Sequence, residues 1–123
     1  MKNSWLFLLC RYGNEIKAPT SDQIDVAANE LFHENISGMS EGDYSEHGSL
    51  SLRYGFDDGP MYVLEITRGG LARWEEWADQ DYNDELAPMR EISRVTEVRA
   101  IELLNALANG NFEFVRTEFS KTA

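Results

Sequence analysis

Between Ser49 and Thr67 the sequence alternates with a period of two, and this pattern restricts the fold more than any other feature. Leu50, Leu52, Tyr54 and Phe56 are separated by small or polar residues, and Tyr62, Leu64 and Ile66 repeat the pattern. Successive side chains of a strand point to opposite faces, so the spacing predicts two strands that each bury one face. Asp57-Asp58-Gly59-Pro60 between them has turn chemistry, and Arg68-Gly69-Gly70 supplies a second tight turn. Leu71 to Ala78 fits two readings. Leu71, Trp74 and Ala78 match a helical stripe, whereas the double glycine just before them favours a hairpin strand, which is the preferred reading. Short turns between consecutive strands make this unit an antiparallel meander.

The flanks supply the rest of the fold. Ser4 to Cys10 is a continuous apolar run ending at Tyr12-Gly13-Asn14, which predicts a central strand. Its outline resembles a lipoprotein signal, but the apolar stretch is too short and the bulky Leu9 precedes the cysteine. Thr20 followed by Gln23 is a capping-box pattern. Behind it Ile24, Ala27, Ala28, Leu31 and Phe32 form one helical stripe, which fades near Asn35 to Gly38. Residues 37 to 48 read as a polar, glycine-bearing loop. Asp79 to Glu85 reads as an acidic loop ending at Pro88. Thr96 caps a second helix, with Ala100, Ile101, Leu104, Leu107 and Ala108 on its buried face and Asn109-Gly110 at its end. Asn111 to Phe119, where Phe112 and Phe114 alternate, reads as a closing strand. The predicted order is β-α-β-β-β-α-β. This is an α+β fold in a single domain over residues 1–123, with two helices packed on an antiparallel sheet of about five strands. Ile24, Leu31, Leu64, Ile66, Ile101, Leu104 and Leu107 are expected to share one core.

Charge narrows the function. Twenty-two acids against 11 bases give a formal net charge of -11. Such a surface repels nucleic-acid phosphates and anionic membranes and attracts basic partners. With 42% hydrophobic residues in 123, a core can form without metal or disulfide staples. Cys10 is the only cysteine, which fits a reducing compartment, so a cytoplasmic location is expected. No apolar run approaches the ~20 residues of a membrane span.

Catalytic chemistry finds little support. Cys10 lies in an apolar strand, where a thiol is inert. Of two histidines, His33 sits beside the first helical stripe and His47 in the polar loop. Glu30 and His33 are three apart on a helix, but a zinc site wants three or four ligands and no third is evident. The Asp57-Asp58-Gly59 turn lacks the later ligands of a calcium loop, and no glycine-rich phosphate loop occurs. The chain is read as a non-enzyme without cofactor or metal, and as a monomer or weak dimer.

The informative cluster begins at Trp74. From there to Glu85 run six acids, Glu75, Glu76, Asp79, Asp81, Asp84 and Glu85, with no base, and Trp77 and Tyr82 stand among them. Trp74 and Trp77 could equally be core residues with a solvated flank. In a binding surface, aromatic residues supply hot-spot area and acids supply speed and orientation. Glu41, Asp43 and Glu46 form a second acidic group, so these eleven positions, Glu75 to Glu85 with Glu41 to Glu46, are the candidate partner-binding residues, with Trp77 and Tyr82 as anchors.

The meander, the run Leu64-Glu65-Ile66-Thr67-Arg68-Gly69-Gly70 leading into the acidic Trp-rich stretch, and a helix ending in Ala108-Asn109-Gly110 together resemble bacterial toxin immunity proteins. The group in question is paired with polymorphic and contact-dependent toxins. The resemblance covers roughly residues 48 to 119 and implies a cytosolic protein that masks a cognate toxin domain, often a nuclease or deaminase. The toxin partner would carry a basic surface. Two other readings remain open: an acidic inhibitor that imitates the charge of DNA, and a small interaction or adaptor domain.

Overall fold

The computed structural model describes residues 4–10, 15–33, 48–57, 59–80 and 83–120. Nine elements follow in order: β1 (Ser4–Leu9), β2 (Glu15–Lys17), α1 (Ser21–His33), β3 (Ser49–Phe56), β4 (Met61–Thr67), β5 (Ala72–Trp77), β6 (Glu85–Ile92), α2 (Glu97–Ala108) and α3 (Phe112–Ser120). The strands form one antiparallel sheet in the order β2-β1-β3-β4-β5-β6. The α+β class and the antiparallel sheet stand as read from the sequence. The sheet has six strands, and three helices are present among the described residues.

The alternation expected of β3 and β4 sets the register. Leu52 faces Leu8 on one side and Leu64 on the other, Leu64 faces Trp74, and Leu50 faces Ile66, which faces Ala72. Directly opposed residues share a face of the sheet. These rows therefore form a continuous apolar surface, which the helices bury. Ile24 and Leu31 of α1 and Leu103, Leu104 and Leu107 of α2 join it in one core. Ile101, expected in that core, is only half-buried, because its position on α2 turns it toward the groove it shares with Asp25 and Asn29 of α1.

Local signals place the helix ends. Thr20 N–H donates to Gln23 Oε1 (2.9 Å) and Gln23 N–H donates to Thr20 Oγ1 (3.2 Å), the reciprocal pair of a capping box. Arg99 N–H donates to Thr96 Oγ1. Gly110 closes α2 at φ +76°, a conformation glycine takes without strain.

Two segments differ from expectation. Residues 112–120 form a helix in place of a strand. Phe112, Val115 and Phe119 fall at helical spacing, with Val115 and Phe119 buried, and Asn111 Oδ1 accepts the Phe114 N–H at its start. Pro88, expected to end a loop, lies within β6. The sheet order leaves β6 at an edge, and an edge strand can hold a proline whose missing N–H faces away from the ladder. The β5–β6 register shifts here, between Trp74 and Trp77, a device that blunts an edge against further pairing.

A polar latch fixes α3 to the sheet. Glu76 is 8% exposed on the helix side. It accepts from Trp74 Nε1 (2.8 Å) and Arg116 Nε (3.0 Å), and Arg116 Nη2 lies 2.9 Å from the same carboxylate. The hydrogen bonds to Glu76 raise the pKa of the Arg116 guanidinium above its ordinary value, against the opposing effect of burial. Arg116 also lies over the Tyr62 ring (5.8 Å), which stacks on Phe112 with centroids 4.2 Å apart. A second pair, Arg99 Nη2 to Glu118 Oε1 (2.7 Å), joins α2 to α3.

Candidate functional site

The helices described above cover one face of the sheet, so the chemistry of the other face is the functional question. The strand registers build it row by row. In the first row Trp5 opposes Gly55, Gly55 opposes Met61, and Met61 opposes Trp77. The second row runs Lys17, Phe7, Arg53, Val63 and Glu75, and the third Glu15, Leu9, Ser51, Glu65, Arg73 and Glu91. An antiparallel sheet with one solvated face ordinarily places polar residues there. The third row follows that rule, with Arg73 between Glu65 (3.9 Å) and Glu91 (3.3 Å). The first row is aromatic and apolar, and the second sets Phe7 and Val63 among Lys17, Arg53 and Glu75.

Gly55 makes the first row possible. A Cβ built at this position would collide with the Trp5 indole, so the ring lies flat across the glycine backbone. Trp5 in turn packs on Phe7 at 5.5 Å between centroids. At the far end Trp77 Nε1 donates to Glu75 Oε1 (3.0 Å), which satisfies the polar edge of a half-buried ring. Met61 and Val63 between them are 3% and 5% exposed.

A pocket of about 300 Å³ opens beside this row. Trp5, Phe7 and Met61 wall it, and Arg53, Gln80 and Glu15 contribute polar groups. Arg53 opposes Phe7 on β1 and Val63 on β4, whose side chains cannot accept a hydrogen bond. Its Nε is shut from solvent with no hydrogen-bond partner. A buried donor left unpaired costs about 1–3 kcal/mol, so such a group calls for a physical explanation.

The acidic stretch meets this face at the β5–β6 connection. Ala78 N–H donates to the Asp84 carbonyl (2.7 Å) and Asn83 N–H to Asp79 Oδ1 (3.1 Å), closing a tight hairpin end. Gln80 Nε2 reaches back to the Phe56 carbonyl (2.6 Å) at the end of β3. That bond carries the hairpin end to the mouth of the Arg53 pocket.

The eleven positions singled out in the sequence are therefore distributed unevenly. Glu75 and Trp77 lie on the face that no described helix covers, Asp79 at the hairpin end, and Asp84 and Glu85 are exposed beside it. Glu76 is a correction: it belongs to the interior latch, because adjacent strand residues point to opposite faces and its carboxylate is taken up by Trp74 and Arg116. Asp81, Tyr82, Glu41, Asp43 and Glu46 lie outside the described residues. Trp5, Phe7, Arg53 and Met61 were not singled out. Their signal was the second parity of the same alternation, which the continuous apolar run of β1 hides.

Elsewhere the chemistry is sparse. His33 is largely exposed, and its Nε2 lies 2.9 Å from Glu97 Oε2, linking α1 to α2. Cys10 is buried. Among the described residues no three His, Cys, Asp or Glu side chains cluster as a metal site, and no helix is long and apolar enough to cross a membrane. No family model, no curated protein and no solved structure matches this chain.

Proposed function

We propose that this protein binds and neutralises a cognate bacterial toxin domain, using the sheet face that no described helix covers and the acidic hairpin end beside it to mask the toxin's active site. The observation that carries this reading is the juxtaposition itself. Two tryptophans and a phenylalanine stand on a sheet face that no described helix covers, and carboxylates border them. Aromatic side chains in such a setting supply the desolvated centre of an interface, and the bordering acids steer a basic partner toward it. The net charge of -11 extends the same attraction over the whole surface. The toxin as partner is favoured by the resemblance of residues 48 to 119 to immunity proteins. It also fits a chain in which the described residues offer binding groups and no assembled catalytic set.

The test starts with a toxin domain encoded beside this chain. Its expression should arrest growth, and co-expression of this protein should restore it. Reversing Asp79, Asp84 and Glu85 together to Lys should slow association and flatten its salt dependence while circular dichroism shows the fold retained. Replacing Trp77 by Ala should chiefly speed dissociation. If the triple-Lys variant associates as fast as the parent at low salt, the acids are a solvated border and the proposed interface is wrong.

A further inference from the structure

We propose that the pocket over Arg53 is an anchoring site for a carboxylate side chain carried by a protein partner. It uses the face that no described helix covers as a contact surface but does not depend on the partner being a toxin.

Arg53 stands in the middle of the sheet, flanked across both strands by Phe7 and Val63. Three of the acids on this face are engaged elsewhere: Glu65 and Glu91 hold Arg73, and Glu75 accepts from Trp77. Arg53 lines the pocket and makes no ion pair among the described residues, so the outer edge of its guanidinium can take a carboxylate. Trp5, Phe7 and Met61 wall the site, so an ionic hydrogen bond formed there is sheltered from water and strengthened. The volume, about 300 Å³, is at the small end of ligand sites and suits one acidic side chain with an apolar neighbour.

Charge selects a polypeptide over a free anion. Glu15 lines the same pocket, Glu75 lies in the same row, and the chain carries -11 overall. A lone anion meets repulsion from all of these. A peptide segment with an acid flanked by lysines places its carboxylate on Arg53 and its cations against Glu15 and Glu75. It satisfies both signs at once.

The probe is an acetylated, amidated peptide, Lys-Leu-Glu-Leu-Lys, compared with the same peptide carrying Gln at its centre and with acetate. Nitrogen-15 spectra follow the Arg53 Nε–H and the Trp5 indole N–H. The Glu peptide should shift both resonances and bind about tenfold more tightly than the Gln peptide, the worth of one charge-assisted pair. Arg53→Gln should erase that difference while circular dichroism shows the fold retained, and Arg53→Lys should restore only part of it. Glu15→Gln should weaken the Glu peptide and strengthen acetate. Reversal of Asp79, Asp84 and Glu85, which tests the proposed function, should leave the preference for Glu over Gln intact, so the two ideas fail separately. Equal binding of the Glu and Gln peptides overturns the proposal. So does a preference that survives in Arg53→Gln, or acetate that shifts Arg53 as strongly as the peptide.

Discussion

Replacing Glu76 by Ala should destabilise the fold by about 2–4 kcal/mol, more than the same change at Glu75, whose one partner is the half-buried Trp77. The magnitude follows from what each partner loses. Trp74 is 1% exposed, so its indole N–H would be left in the core without an acceptor, a cost of about 1–3 kcal/mol. The ion pair with Arg116 contributes less than a fully buried pair. The Glu76 side chain is 10% exposed but that of Arg116 is 36% exposed, so the guanidinium can recover much of its hydration. Its share lies between the ~0–1 kcal/mol of a surface pair and the ~3–5 kcal/mol lost on breaking a buried one. Glu76→Gln keeps an acceptor for Trp74 and removes only the charge, and should cost about 1 kcal/mol. Urea unfolding at neutral pH, followed by tryptophan fluorescence, measures both variants. An Ala variant within about 0.5 kcal/mol of the parent, the range of an ordinary surface change, would refute the latch. So would a Gln variant as damaging as Ala.

Leu104→Ala, at a fully buried position of α2, should cost about 2–5 kcal/mol in the same unfolding assay; a near-neutral result would mean α2 does not pack as described. Gly55→Ala should push the Trp5 ring off the sheet, read as a red-shifted and more quenchable emission, whereas a spectrum identical to the parent would place Trp5 elsewhere. Because Gly55 sits in an extended strand, the cost is steric, and a Gly55→Ala/Trp5→Ala double variant should recover much of the lost stability. Thr96→Ala removes the acceptor at the start of α2 and should lower stability by about 1 kcal/mol, measured by thermal melting; an unchanged melting temperature would show the cap to be inert.

Short-range rules carried a large part of the structure. The capping box of Thr20 and Gln23, the Thr96 cap and the glycine end of α2 are decided by residues three or four apart, so they were legible in the chain. The same holds for the meander, where alternation in β3 and β4 and the turns at Asp57 and Gly69 act locally. Once β5 is known to be a strand, parity alone separates Glu75 on the uncovered face from Glu76 in the interior. Grouping the acids by charge passed over that parity, although strand was the preferred reading of Leu71 to Ala78.

What tertiary structure decided are the choices local chemistry leaves balanced. Phe112, Phe114, Val115 and Phe119 satisfy a strand or a helix. The stacked surface of Tyr62 and Trp74, together with the Glu76 carboxylate awaiting Arg116, rewards the helix, and both lie some forty or more residues away in the chain. Pro88 fits a strand only because β6 falls at the sheet edge, a position set by the order of all six strands. The uncovered face has the same origin. Trp5, Phe7, Met61 and Val63 are as apolar as the core residues beside them. Sequence by itself determined that β1 and β4 are apolar on both sides. Which side receives α1, α2 and α3 was settled by packing, where their stripes meet Leu8, Leu52, Leu64 and Trp74 in one core. Trp5, Phe7 and Arg53 lie on the face that no described helix covers, where Met61 and Val63 are themselves 3% and 5% exposed.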